Sequence, residues 1–402
     1  MQSIKEIFKS GKGPSSSHTL AVERACKLFL QYNTECVTYQ VELYGSLSLT
    51  GRGHGTDAII RETFAPKPVQ VDFYLDWLED FPNGLLIRGF DGFFHEVASW
   101  TVFSLGGGSI EIKELDLDFN REVYPHKSLR EIRDFCKQEN LKLCDYPFYF
   151  EKDLRPYLQD VISQMLKTVA AGLSQTGVVN EKLGIQRIAK SLYMKAKFAD
   201  SQQQRLYLIS YAYAAMEENA CGKPCTTAPT LGASGVIAAL VYWHYYQQET
   251  SRNELVEALA LAGLFGNLVK RNATISGAVG GCQAEIGTAC AMGSAFLASL
   301  EHLPDDIIEY AAEIGMEHHL GLTCDPVGGY VLIPCIERNA AGALRALDSC
   351  LLAKSVGDIR KNKVSFDSVV QAMNYTGEKI AVELKETALG GLALEFAKDL
   401  KE

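Results

Sequence analysis

Val161-Ile162-Ser163-Gln164-Met165-Leu166-Lys167-Thr168-Val169-Ala170-Ala171-Gly172-Leu173 decides the class of this fold. Its apolar residues make one long stripe at helical spacing, and the pattern continues almost without a break from about residue 154 onward. Later stretches, such as 235–246 and 288–300, are apolar on nearly all sides, which suits helices in the middle of an all-α body. Upstream the period changes. Val37, Tyr39, Val41 and Leu43 alternate with Thr38, Gln40 and Glu42, the pattern of a half-buried strand. Val69, Val71 and Phe73 alternate in the same way, and the segments 85–87, 97–103 and 110–112 read as extended. Val22, Ala25, Cys26 and Phe29 fall at i, i+3, i+4 and i+7, one face of a helix. Between the two patterns lies a charged stretch, 121–153, broken by Pro125 and Pro147 and read as a linker. The expectation is an α+β protein, with an α/β domain over 1–120 followed by an all-helical domain over 154–402.

The chain has 402 residues, of which 47% are hydrophobic and 22% charged, values of an ordinary globular protein. Its formal net charge of −10 argues against nucleic acid or an anionic membrane as a partner, since neither meets a cationic field here. The first ten residues carry no signal-peptide core. The low-charge run 272–300 contains Gln283 and Glu285 and is broken by glycines, so a buried helix is expected there and not a membrane span. Eleven cysteines, an odd number without a secretory signal, point to reduced thiols in the cytoplasm. Most are expected simply to pack, as free cysteines usually do.

Three cysteines stand apart. Cys282 lies in Gly280-Gly281-Cys282-Gln283-Ala284-Glu285, Cys324 in Gly321-Leu322-Thr323-Cys324-Asp325-Pro326, and Cys335 in Pro334-Cys335-Ile336-Glu337-Arg338-Asn339. Each is bordered by turn-forming residues, where backbone can gather thiolates and donate N–H groups to sulfide. They lack the two-to-four-residue spacing of structural zinc sites. Taken alone they are a weak signal for a metal site, and three buried thiols is the plainer reading.

Longer motifs surround them. Gly13-Pro14-Ser15-Ser16-Ser17-His18-Thr19 opens the chain, followed by Leu43-Tyr44-Gly45-Ser46-Leu47 and Gly51-Arg52-Gly53-His54-Gly55-Thr56-Asp57. Thr227-Ala228-Pro229-Thr230, Lys270-Arg271-Asn272-Ala273-Thr274-Ile275-Ser276-Gly277-Ala278, and the run from His318 to Val327 complete the set with Pro334 to Ala340. In this order they resemble the iron–sulfur-dependent L-serine dehydratases in their single-chain form. The resemblance implies a lyase that eliminates water from L-serine or a close β-hydroxy amino acid, giving a keto acid and ammonia. It implies that Cys282, Cys324 and Cys335 hold an oxygen-sensitive 4Fe–4S cluster with one open iron, a Lewis acid toward the leaving hydroxyl. It also implies that the first domain is of the regulatory, substrate-sensing type and that the active site lies between the domains.

Elimination needs a base for the α-proton, and a histidine, with a pKa near neutral, suits it. His54 sits between glycines after a predicted strand, and the resemblance points to the same residue as a candidate base. His18, a second catalytic candidate, lies in the Ser15-Ser16-Ser17-His18-Thr19 run just before a helix. There the serines either cap the helix or help its N–H groups hold a substrate carboxylate. Thr230 and Asn272, in matching segments, are further substrate-binding candidates. Arg338 is another, against an ordinary structural ion pair. His318 and His319 are expected to support the cluster loop, while Cys221 and Cys225 either line the pocket or pack.

Three features depart from the family pattern. Leu231 replaces an asparagine and Val279 an acidic residue; if either lines the pocket, a bulkier substrate such as threonine is indicated. Many relatives finish with a cysteine, whereas this chain reads Asp399-Leu400-Lys401-Glu402. Two rivals stand beside the lyase. A pyridoxal-phosphate dehydratase would need a lysine in a convincing cofactor motif, and none is seen. A ligand sensor that has lost its chemistry, or a relative altered toward another β-substituted amino acid, is the other. The expected partner is a small amino acid, and broad apolar faces suggest a homodimer.

Overall fold

The computed structural model describes residues 1–116 and 121–399. The α+β expectation holds. A five-stranded sheet is built around Thr38–Tyr44, which runs parallel to Val69–Tyr74 on one side and antiparallel to Gly84–Phe90 on the other. Glu96–Gly106 and Ser109–Ile112 extend it by antiparallel pairing. Helices Ala21–Tyr32 and Thr56–Phe64 share a core with it. Val22, Ala25, Cys26 and Phe29, the predicted stripe, are wholly buried there against Val41, Ile87 and Val102.

The second part is a helical body. Its central helices, Ser234–Tyr246 and Thr288–Leu300, are buried on almost every side, as their unbroken apolarity requires. Thr288–Leu300 packs on Arg252–Asn272, Asp305–Glu317 and Cys335–Gly357. The low-charge run 272–300 is not one helix: Gly277–Gly280 and a π turn at Gln283–Gly287 precede Thr288–Leu300. No helix among the described residues is long and apolar enough to cross a membrane.

Two segments tie the parts together. Met1, Ile4, Ile7 and Phe8 are buried in the core of the helical body, and Ser10–Lys12 pairs antiparallel with Pro224–Thr226. The chain therefore starts in the helical body before it builds the sheet. The charged stretch 121–153, expected as a linker, carries the helices Leu129–Gln138 and Tyr146–Phe150. Leu129, Ile132 and Cys136, spaced on one helical face, join the helical core with Tyr124 and Tyr146. Ser128 caps the first of these helices by accepting from the Glu131 N–H. The charges of this stretch lie on the outer face and mask an amphipathic period.

Candidate active site

The strand Thr38–Tyr44 leads into two short helices, Ser46–Leu49 and Gly51–His54. His54 ends the second of them. Gly55, at φ 73°, reverses the chain in a left-handed conformation that favours glycine. Gly53 has a different reason. A Cβ there would lie 2.3 Å from the Gly329 carbonyl oxygen, so the turn that carries His54 docks directly on backbone of the helical body. Gly53→Ala is expected to lower stability by about 1–3 kcal/mol through that clash. Denaturant unfolding of the purified variant checks this, and a midpoint equal to the parent's would contradict the docking.

His54 is 1% exposed, so it is a packed residue and not a loose loop side chain. Its Nδ1 lies 2.9 Å from the Thr50 carbonyl oxygen. A carbonyl only accepts, so Nδ1 carries the proton and Nε2 is left with its lone pair. Burial pushes its pKa down to about 4, which keeps the ring neutral near pH 7. His18 stacks on it, with ring centroids 4.2 Å apart and planes 20° from parallel. His18 Nε2 donates to the Ser46 carbonyl at 3.0 Å, and Nδ1 accepts from the Ser17 hydroxyl at 3.0 Å. Burial, and then the neighbouring His54, hold His18 well below the ordinary histidine value.

The three cysteines come together. Cys282 precedes the π turn, Cys335 begins the helix Cys335–Gly357, and Cys324 sits on the loop between them. All three line one small enclosed cavity, shared with Ser15 and His54 from the first part and with Glu285 and Glu386. Burial raises all three thiols, Cys282 to about 11. Arg338 opposes that rise at Cys282 and Cys335 through its positive charge. It also donates to the Thr323 carbonyl at 2.6 Å and pairs with Asp325 at 3.4 Å. It thus braces the Cys324 loop, in the role of a structural ion pair.

The remaining expected residues divide. Ser15 reaches the cavity, and its hydroxyl is 3.4 Å from His18 Nδ1. No side-chain cap bond forms at the start of the Ser16–Leu20 π turn, so the serine run does not act by capping. Ser16 and Ser17 are buried beside it. Thr19 donates to the carbonyls of Lys12 and Ser15 and holds local backbone. Thr230 supports the Glu285 carboxyl and accepts from the Ala233 N–H. Asn272 is not brought to the cavity: it ends a long helix and donates to the Lys127 carbonyl. Leu231 packs with Leu20 and Cys225 in a separate apolar cluster. Val279 faces an outer groove of about 290 Å³ beside Trp77 and Val382. Neither departure lines the cavity of the three thiols. Cys225 is buried and Cys221 accepts from Arg187, both away from that cavity. His318 and His319 bond back to the carbonyls of their own helix.

Glu386 was not anticipated. Its backbone N–H donates to the Cys324 carbonyl at 2.6 Å, and its carbonyl accepts from the Ser46 hydroxyl at 2.8 Å. Its Oε1 lies 3.8 Å from both His18 Nδ1 and His54 Nε2. Burial, and then Glu285, push its carboxyl well above the usual carboxylate range. With one ligand atom each, all within 4.8 Å of one another, His18, His54 and Glu386 could also hold a metal ion. The final residues 400–402 lie outside the described residues, so the expected departure at the end of the chain is not placed.

The model of the serine dehydratase alpha chain matches residues 45–393, and that of the beta chain matches residues 3–74. The chain is 34% identical to an L-serine dehydratase of Streptomyces coelicolor, over 98% of this chain and 99% of that protein. It is 35% identical to L-serine dehydratase 1 of Escherichia coli, over 99% and 100% of the two chains. An L-serine dehydratase of Helicobacter pylori is 34% identical over 97% and 98%. The matches run through the sheet and the helical body alike, and on that ground this chain belongs to the serine dehydratase family.

Proposed function

We propose that this protein is an L-serine dehydratase, an L-serine ammonia-lyase that removes water from L-serine and releases pyruvate and ammonia. The observation that carries the reading is the meeting of Cys282, Cys324, Cys335 and His54 at one buried cavity. The three cysteines would hold a 4Fe–4S cluster, and the donor set fits one: three screened thiols, with the Arg338 guanidinium close enough to offset thiolate charge. A cluster held by three cysteines supplies a Lewis-acidic iron, the chemistry that assists departure of a poor leaving group such as a hydroxyl.

The chain's own residues do the rest. His54 Nε2 takes the α-proton, since its Nδ1–H is fixed on Thr50 and its lone pair faces Glu386 at the cavity wall. His18 stacks behind it and holds its orientation. The Ser15 hydroxyl is placed to donate to the substrate carboxylate. Proton and hydroxide leave as water, and the resulting enamine tautomerises to an imine that hydrolyses to the keto acid and ammonia. Because Leu231 and Val279 stand away from the cavity, serine is favoured over a bulkier substrate. The cysteines are all free, which suits the reducing cytoplasm. Exposed Leu351, Leu352 and Ile359 support a homodimer.

Anaerobic reconstitution with iron and sulfide, followed by keto-acid and ammonia assays over a panel of β-hydroxy amino acids, tests this reading. The expected result is about four irons per chain and equal yields of pyruvate and ammonia from L-serine. Ligand binding without turnover, at full iron content, would replace the lyase with a sensor.

A further inference from the structure

We infer that Glu386 receives the substrate's α-ammonium group and so sets which way round the amino acid lies. This rests on the dehydratase reading above and adds the substrate's orientation to it.

Glu386 is held in place from both parts of the molecule. Its N–H is bound by the Cys324 carbonyl, its carbonyl by the Ser46 hydroxyl, and the Cys324 N–H donates to the carbonyl of Leu384 at 2.8 Å. The backbone adopts φ 57°, a left-handed conformation uncommon for a glutamate, so these bonds over-determine it. The side chain is 6% exposed and lines the cavity. Oε2 is buried with no hydrogen-bond partner at ordinary distance, the Ala278 N–H gives the carboxyl a single weak backbone contact, and the only ion-pair contacts of Glu386 among the described residues are the two histidines. A buried carboxyl oxygen that lacks a donor at full hydrogen-bond distance is costly. A ligand that brings N–H groups and positive charge removes that cost.

Glu285, the other carboxyl at the cavity, is already served. It accepts from Thr230 and feels the charge of Arg338. Among the described residues no lysine or arginine reaches Glu386 in that way. An α-ammonium matches it, with three donors and one charge. The geometry also matches the reaction. The amine nitrogen and the α-carbon of an amino acid are about 1.5 Å apart, so the groups that receive the amine and the α-proton must be neighbours. Glu386 Oε1 and His54 Nε2 are 3.8 Å apart. An ammonium seated on Glu386 places the α-proton beside the unprotonated nitrogen.

The test uses two ligands that cannot lose a hydroxyl, L-alanine and propionate, which differ only in the amine. Their binding to the reconstituted, full-length protein is measured by calorimetry. The wild type is expected to prefer L-alanine by roughly 10- to 100-fold, the range of one charge-assisted bond. Glu386→Gln is expected to erase that preference and to raise KM for L-serine by a similar factor, with the visible absorbance of the cluster unchanged. Glu386→Asp, which keeps a carboxyl that can ionise against the ammonium, is expected to retain the preference. Equal binding of the two ligands by the wild type would overturn the assignment without any variant. An intact preference in Glu386→Gln, or equal weakening of both ligands, would overturn it too. Failure of the dehydratase reading itself shows separately, as wild-type protein without iron or pyruvate formation.

Discussion

Cys324→Ala is expected to take up no stable cluster and to form no pyruvate above background, while its far-ultraviolet circular dichroism matches that of the parent. The thiol is buried in the wall of the cavity, and its removal leaves two cysteines there. No substitute is at hand: the other eight cysteines of the described residues lie away from that wall. Folding is expected to survive, because the loop is held by backbone bonds that alanine keeps. The Cys324 N–H donates to the Leu384 carbonyl and its own carbonyl accepts from the Glu386 N–H. Loss of a buried sulfur costs on the order of 1–2 kcal/mol, well within what a protein of this size tolerates. Iron content and visible absorbance after anaerobic reconstitution, read beside the pyruvate assay, check the result. Wild-type turnover in this variant would remove the cluster from the account.

His54→Ala is expected to do the opposite: the iron chromophore stays, and kcat falls by roughly 10²- to 10⁴-fold, the usual contribution of a positioned base. His54 is singled out over His18 by its bonds. Both His18 nitrogens are engaged, one donating to the Ser46 carbonyl and one accepting from Ser17, and His18 is not among the cavity-lining residues. The pH dependence follows from the low pKa of His54. On the proposed reading the unprotonated ring is the active form, and burial lowers its pKa from 6.5 to about 4. The acid limb of kcat, read at saturating serine so that Glu386 is already engaged by the substrate, is therefore expected well below pH 6.5. A limb at or above 6.5 would point to another base.

The secondary structure was largely legible because its signals are local. Alternation at Val37 to Leu43 and the stripe at Val22 to Phe29 needed only neighbouring residues, and both became the elements they suggested, except that Val37 stays exposed just before the strand. The stretch 121–153 was misleading because its charges outnumber the Leu129, Ile132 and Cys136 that a helix buries. The cysteines were harder. Their spacing has no local period, since the cavity is assembled from a π turn, a loop and a helix start that meet only in the folded chain. The long motifs around them carried the signal instead. Asn272 lay in such a motif and still ended elsewhere, because motif membership does not fix where a helix end points. Glu386 left the weakest trace, one carboxylate shortly before Gly390-Gly391. Its importance arises from tertiary contacts with Ser46 and Cys324, which are far from it in sequence.

Anomalous diffraction at the iron edge, from crystals grown without oxygen, tests the central claim most directly. One compact iron peak is predicted, within bonding distance of the sulfurs of Cys282, Cys324 and Cys335 and facing His54. Iron bound elsewhere, or a peak seated on His18, His54 and Glu386 with the three sulfurs unbound, would contradict it.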